Sequence, residues 1–228
     1  MKYALVTGST RGIGAAIATE LENQGYTVIR NGRMEHPEIK NYIKADVSTK
    51  EGVEKLVTEI MKLTEKVECL VLNAGATCRK KFEDITYEEW QEVMDVNLNM
   101  PFLIAQKLYR QMAEDGSIVF ISSALSLHPH ATSIPYGVSK AGVNMLAKCL
   151  AREYADKRVR VNAVCPGFVD TEWQKEKPEW LREKIASKTV LNRFATPQEI
   201  AQMCVSVCEN TFVNGAVISV DGGYNIAN

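Results

Sequence analysis

Tyr3-Ala4-Leu5-Val6-Thr7-Gly8-Ser9-Thr10-Arg11-Gly12-Ile13-Gly14 follows Met1 and Lys2, and the reading of this stretch decides the fold. A short apolar run meets a glycine-rich turn, and a helix-like segment, Ile13–Gln24, comes straight after it. The apolar run reaches Gly8 too early to be the core of a signal peptide, so it reads as a buried strand. Glycines at 8, 12 and 14 allow a tight turn. They also let backbone approach a pyrophosphate at the helix N-terminus, where unpaired N–H groups and the dipole favour anions. The spacing is G-x-x-x-G-x-G, which differs from the G-x-G-x-x-G dinucleotide fingerprint. A plain strand-to-helix turn would carry the same glycines. The position after the opening strand favours the phosphate reading.

The alternation continues outward. Strand-like runs at Tyr3–Thr7, Thr27–Arg30, Tyr42–Lys44, Cys69–Leu72, Ser117–Ser122, Arg160–Val164 and Ala216–Val220 are separated mostly by helix-like ones. The latter are Ile13–Gln24, Lys50–Thr64, Tyr87–Ala113, Tyr136–Ala155 and Pro197–Cys208. Seven apolar strands interleaved with helices predict an α/β fold: one doubly wound parallel sheet with helices on both faces. Ligands in such sheets bind beyond the carboxyl ends of the strands. Met34–Ala45, interrupted by Pro37, has room for a short strand and hardly for a covering helix. With no repeat, linker or low-complexity tract, residues 1–228 read as a single dinucleotide-binding and catalytic domain.

The composition excludes some partners. Twenty-seven Lys and Arg against 28 Asp and Glu leave a formal net charge of −1, which gives no electrostatic case for nucleic acid. No apolar run approaches the ~20 residues needed to span a bilayer. The six cysteines (69, 78, 149, 165, 204, 208) form no C-x-x-C pair, and only Cys204 and Cys208 lie close together. They read as free thiols in a reducing cytosol, so the expected location is cytoplasmic, with no metal.

Cofactor choice is read near the second strand, where an acidic residue would bind ribose hydroxyls and repel a 2′-phosphate. Val28-Ile29-Arg30-Asn31-Gly32-Arg33 contains no Asp or Glu, and Arg11 in the first turn can approach the same pocket. Two guanidiniums suit a phosphate dianion, so Arg11 and Arg33 favour NADP(H) over NAD(H). Chemistry is read from Tyr136 and Lys140, which share a helix face at i and i+4. A free phenol, with a pKa near ~10, is a poor base at neutral pH, and a nearby ammonium would lower that value. Ser123 ends a strand-like run thirteen residues before Tyr136 and can hydrogen-bond a carbonyl oxygen that Tyr136 protonates. Asn97 is either a satisfied core amide or the holder of a water that links Lys140 to solvent. His128 and His130 lack a cysteine or carboxylate cluster and read as loop or substrate-pocket residues.

Thr7–Gly14, Asn73-Ala74-Gly75, Asn97, Ser123, Tyr136/Lys140, Pro166-Gly167 and Asp221-Gly222-Gly223 occur in one order and spacing. From Lys2 to about Tyr224 the chain thereby resembles the short-chain dehydrogenase/reductases, the compact kind with one Rossmann-type domain, and among them the 3-oxoacyl-carrier-protein reductases. The resemblance implies hydride transfer between NADP(H) and a carbonyl or secondary alcohol. Asn97, Ser123, Tyr136 and Lys140 would be catalytic. Gly8, Thr10, Arg11, Gly12, Ile13 and Gly14 would line the phosphates, and Arg33 the 2′-phosphate. Asp46 and Val47 would meet the adenine, while Asn73, Ala74 and Gly75 would pass the ribose. Pro166, Gly167, Val169 and Thr171 would pack on and hold the nicotinamide, and Tyr136 and Lys140 would bind near its ribose. The substrate implied is a 3-oxoacyl thioester, with a sugar, polyol or other small carbonyl as the alternative. A dinucleotide sensor without chemistry is the rival class, and an intact Ser123, Tyr136 and Lys140 argues against it.

Three further expectations concern partners. Arg152, Arg158 and Arg160 could meet an acidic carrier or lie on a solvated helix face. Trp173 and Trp180 could cover an apolar substrate or pack on the domain's own surface. The resemblance also implies a homodimer or homotetramer built on Tyr87–Ala113, Tyr136–Ala155 and Gly215–Tyr224.

Overall fold

Strand β1 (Lys2–Val6) lies inside the sheet, with β2 (Tyr26–Gly32) on one side and β4 (Val67–Leu72) on the other. With β3 (Tyr42–Lys44), β5 (Met112–Ile121), β6 (Arg160–Pro166) and β7 (Val217–Val220) the order is β3-β2-β1-β4-β5-β6-β7. Every pairing is parallel. The chain runs outward from β1 in one direction and then returns to start again at β4. That reversal opens a crevice at the carboxyl ends of β1 and β4. The computed structural model describes residues 1–129 and 133–227.

The helices are α1 (Gly12–Asn23), α2 (Lys50–Leu63), α3 (Tyr87–Met94), α4 (Met100–Lys107), α5 (Ile134–Glu153), α6 (Glu172–Lys175), α7 (Glu179–Ala186) and α8 (Pro197–Glu209). Strand alternation divides the core between them. Leu5, Leu70, Ile118 and Val161 point to the face covered by α2, α4 and α5, where Leu56, Ile60, Ile104 and Val143 meet them. Val6, Val71, Val119 and Val164 point to the other face, under Ile17 and Leu21 of α1 and Ile200 and Cys204 of α8. Both faces of the central strands are buried, which is why they read as continuous apolar runs. The caps are local: Thr86 and Thr196 each form a capping box, with Glu89 and Glu199. No helix is long and apolar enough to cross a membrane among the described residues. Residues 33–41, between β2 and β3, contain no helix, as their length and Pro37 predict.

Two expectations are corrected. The single helical run expected over Tyr87–Ala113 is broken. Asp95–Asn99 forms a π-helical turn between α3 and α4, and the helix ends at Lys107. Met112 and Ala113 already belong to β5, which begins five residues before the expected Ser117. Glu114-Asp115-Gly116 disguises that start. Asp115 sits in left-handed backbone (φ 60°) and the β4–β5 register shifts between Val67 and Cys69.

Candidate functional site

The turn after β1 is shaped by contacts from two neighbouring strands. Asn73, just past β4, donates through Nδ2 to Thr7 O (2.9 Å) and Gly8 O (3.0 Å). Thr7 Oγ1 accepts from the backbone N–H groups of Asn73 (3.0 Å) and Ala74 (3.1 Å). From the β2 side, Asn31 N donates to Ser9 Oγ (2.9 Å), while Asn31 Nδ2 donates to Ile43 O and Ala45 O, both at 3.1 Å. Gly8 takes a φ of 63°, which favours glycine. Gly14 has a different reason: a Cβ there would lie 2.4 Å from Gly8 O and 2.4 Å from Asn73 Nδ2. Arg11 stands at the N-cap of α1 without a side-chain cap bond, and the first turn holds no carboxylate. No side chain caps the leading N–H groups of α1, whereas α2, α3 and α8 have theirs capped by threonines.

Farther along the same sheet edge a cavity of about 260 Å³ is lined by Ile13 from α1, Gly75 after β4, Ser123 after β5, Tyr136 and Lys140 from α5, and the segment after β6. From that last segment Pro166, Gly167, Phe168, Val169 and Thr171 all contribute. Ile13 at the start of α1 and the Ser123, Tyr136 and Lys140 side chains thus open onto one space. Ser123 Oγ accepts from Leu125 N (3.1 Å), which leaves its proton to be donated into the cavity. Lys140 is buried, donates through Nζ to Ile121 O (2.7 Å), and stands 5.7 Å from the centre of the Tyr136 ring. Gly75 closes the back: a Cβ there would meet Asn97 Oδ1 at 3.2 Å and Lys140 Nζ at 3.7 Å.

Burial sets the electrostatics. It pushes the Lys140 ammonium down to about 8. It also raises the Tyr136 phenol above its ordinary range, while a hydrogen bond with Ser123 and the charge of Arg79 pull it back. This reverses the expectation that Lys140 lowers the Tyr136 pKa. Desolvation outweighs the charges, and the cation acting on the phenol is Arg79, which also lines the cavity. Nothing in the spacing of Arg79 to the other residues marks it in the sequence.

The remaining residues fall at varied distances from this space. Asn97 sits buried in the π-helical turn, where its Nδ2 donates to Ala76 O and Ser139 Oγ, both at 2.9 Å, and its Oδ1 accepts from Ala76 N (2.8 Å). Its side chain is therefore a satisfied amide at the edge of the site. Asp46 Oδ1 accepts from Ser48 N and Oγ in a turn, and Val47 is buried in the core under α2. Arg11 and Arg33 are exposed at the carboxyl edge of β1 and β2, with Thr10 beside Gly32 between them. His128 Nε2 pairs with Asn225 O (2.7 Å), and Trp180 is exposed on α7. His130 and the side chain of Trp173 lie outside the described residues. The six cysteines are free thiols, and no cluster able to hold a metal occurs among the described residues.

The carrier-binding expectation for Arg158 and Arg160 is corrected. Arg160 is buried at the start of β6 and donates to Val207 O (2.9 Å) and Cys208 O (2.5 Å). Arg158 pairs with Asp115 (2.7 Å) and Glu114 (2.8 Å). Both stand at the amino end of the sheet, opposite the cavity.

Comparison with known proteins places this geometry among relatives. A family model described as enoyl-(acyl carrier protein) reductase matches residues 8–225. The 3-oxoacyl-(acyl-carrier-protein) reductase FabG of Aquifex aeolicus is 36% identical over 239 residues, covering 97% of this chain and 96% of the relative. The ligand-free aldohexose dehydrogenase of Thermoplasma acidophilum superposes with a TM-score of 0.93 at 31% identity, covering 100% of this chain and 95% of the other. The angucycline C-6 ketoreductase LanV with bound NADP superposes with a TM-score of 0.91 at 28% identity, over 99% and 96%.

Proposed function

The chain belongs to the short-chain dehydrogenase/reductase family and is an oxidoreductase of that type, and from this premise we propose that it reduces a 3-oxoacyl thioester with NADPH. The observation that carries the reading is the single cavity onto which the α1 N-terminus, through Ile13, and the Ser123, Tyr136 and Lys140 side chains all open.

The residues fit a dinucleotide. The uncapped first turn of α1 and the close-packed Gly8–Gly14 backbone suit a pyrophosphate, and Pro166–Thr171 supplies a wall for the nicotinamide. Arg11 and Arg33 would hold a 2′-phosphate, Asp46 the adenine side, and Asn73, Ala74 and Gly75 the ribose side. When bound, the nicotinamide supplies the hydride. The chain's own part is proton and charge handling. Ser123 donates a hydrogen bond to the carbonyl oxygen, and Tyr136, kept protonated by burial, gives its proton to that oxygen as negative charge develops. Lys140, whose ammonium burial pushes down to about 8, lies where it can resupply the phenol, with Asn97 behind it at Gly75.

The thioester is supported by the FabG relative, and NADP by the missing carboxylate near Arg33 and the NADP-bound ketoreductase. A sugar substrate is the second reading, favoured by the aldohexose dehydrogenase likeness. Six free thiols support a reducing, cytoplasmic setting. Association into a homodimer or homotetramer is supported by Phe102 on α4 and by Val138 and Met145, seven apart on α5, all exposed. The test is fluorescence titration with NADPH and NADH, followed by turnover of acetoacetyl thioester and aldohexoses. Tighter NADPH binding with thioester turnover is expected. Preference for NADH would refute the roles of Arg11 and Arg33, and binding of neither nucleotide would overturn the proposal.

A further inference from the structure

Behind the cavity, three segments that form its walls are joined at one buried point. Helix α5 presents Tyr136, Lys140 and Asn144 on one face, at i, i+4 and i+8. The first two line the cavity; Asn144 is buried one turn farther on and does not. Its Nδ2 donates to Ser126 Oγ (2.7 Å), and Ser126 Oγ donates to Ser123 O (2.5 Å). Its Oδ1 accepts from Cys165 Sγ (3.6 Å), the residue before the Pro166-Gly167 wall. Ser126 N also donates to Ser123 O (3.0 Å). One side-chain amide therefore ties the helix carrying Tyr136 to the turn carrying Ser123 and to the end of β6.

We propose that Asn144 and Ser126 are positioning residues that set the spacing between Ser123 and Tyr136, although neither touches the cavity. The proposal rests on the roles given above to those two residues. Ser123 and Tyr136 come from different elements, and both must reach one carbonyl oxygen. A misplacement of about 1 Å between such groups can cost ~10²-fold in rate. The Ser126 hydroxyl is held as donor to Ser123 because Asn144 occupies it as acceptor, so removing the amide frees that hydroxyl to rotate away. The same amide takes the Cys165 S–H and so holds the end of β6 against α5.

The test uses Ser126→Ala, Asn144→Leu, their double variant and Ser126→Thr in the full-length protein. Each single variant should turn over roughly ten to a hundred times more slowly than wild type, with the NADPH dissociation constant changed less than twofold. The double variant should be no slower than the worse single one, because one chain of bonds is broken in either case. Ser126→Thr, which keeps the hydroxyl, should recover turnover to within threefold of wild type. A second readout needs no turnover: the phenol titration of Tyr136, taken as the absorbance difference from a Tyr136→Phe background. The groups facing that phenol are Ser123, Arg79, Lys140 and Cys165. Ser126→Ala should move the midpoint up as the Ser123 hydrogen bond loosens. Wild-type turnover in both single variants, or additive losses, would overturn the relay. If the wild type reduces no carbonyl, the functional reading fails by itself. The titration still decides the relay, and an unmoved midpoint overturns it.

Discussion

Gly14 offers the sharpest test of how the nucleotide turn is built. The residue lies in α1 with ordinary helical backbone, so an alanine there would on propensity alone stabilise the helix by up to ~1 kcal/mol. The structure predicts the opposite sign. The new Cβ would stand 2.4 Å from Gly8 O and 2.4 Å from Asn73 Nδ2, about 1 Å inside ordinary contact at 3.4 Å. Overpacking of this kind costs about 1–3 kcal/mol. Pushing Asn73 aside also disturbs its bonds to Thr7 O and Gly8 O, each worth about 1 kcal/mol. The net loss for Gly14→Ala is then about 2–4 kcal/mol, or a fall in Tm of roughly 5–12 °C for a chain of this size. Gly25→Ala is the control. A Cβ there meets nothing within 4 Å and the backbone alone is unfavourable (φ 84°), so its loss should stay near ~1 kcal/mol. Thermal unfolding followed by circular dichroism compares the two, and NADPH titration should show at least tenfold weaker binding for Gly14→Ala only. A Gly14→Ala protein that melts at or above the wild-type temperature would refute the close-approach argument.

Tyr136→Phe should lower turnover by at least ~10²-fold and leave NADPH binding within a factor of two; unchanged turnover would remove Tyr136 from the proton path. Lys140 predicts a stability signature in alkali. Its folded pKa of about 8 lies below the unfolded 10.5, so between those values the unfolded chain holds the extra proton and stability from this group rises with pH. Chemical denaturation at pH 7.5 and 10.5 should show wild type gaining roughly 3 kcal/mol relative to Lys140→Met, and a constant gap would mean the ammonium is not desolvated. Arg79→Leu removes a charge that lowers the Tyr136 pKa, so the phenol should titrate higher in this variant; the same absorbance titration reads it, and a downward shift would contradict the assignment.

What is legible in the sequence is local. The strand–turn–helix start, the seven strands and the shared face of Tyr136 and Lys140 each follow from spacing within a few residues. The break at Asp95–Asn99 leaves no mark, because apolar periodicity runs on through Val96 and Leu98. Arg160 reads as a cation for an acidic carrier or for a solvated helix face, yet it gives its guanidinium to two carbonyls at the end of α8. Asn31, Ser126 and Asn144 are polar residues that each have a partner 12–23 residues away in the chain, so only the packed structure reveals those bonds. The direction of the Tyr136 shift escapes the sequence for a related reason: it depends on burial, which a helical spacing does not report.

The π-helical turn fixes how this part of the chain can change in length. Each residue of an α-helix advances the chain by ~100° about the axis. Deleting any one residue within 95–99 would let α3 and α4 fuse into a continuous α-helix. The positions after the deletion would then be rotated by about that angle relative to those before it. Asn97 could not keep facing Ala76 and Ser139 while Ile104 and Ala105 kept their place in the core. Insertions and deletions should therefore be tolerated in the exposed Met34–Asn41 stretch and rejected here, a contrast that a deletion scan with a folding reporter would expose directly.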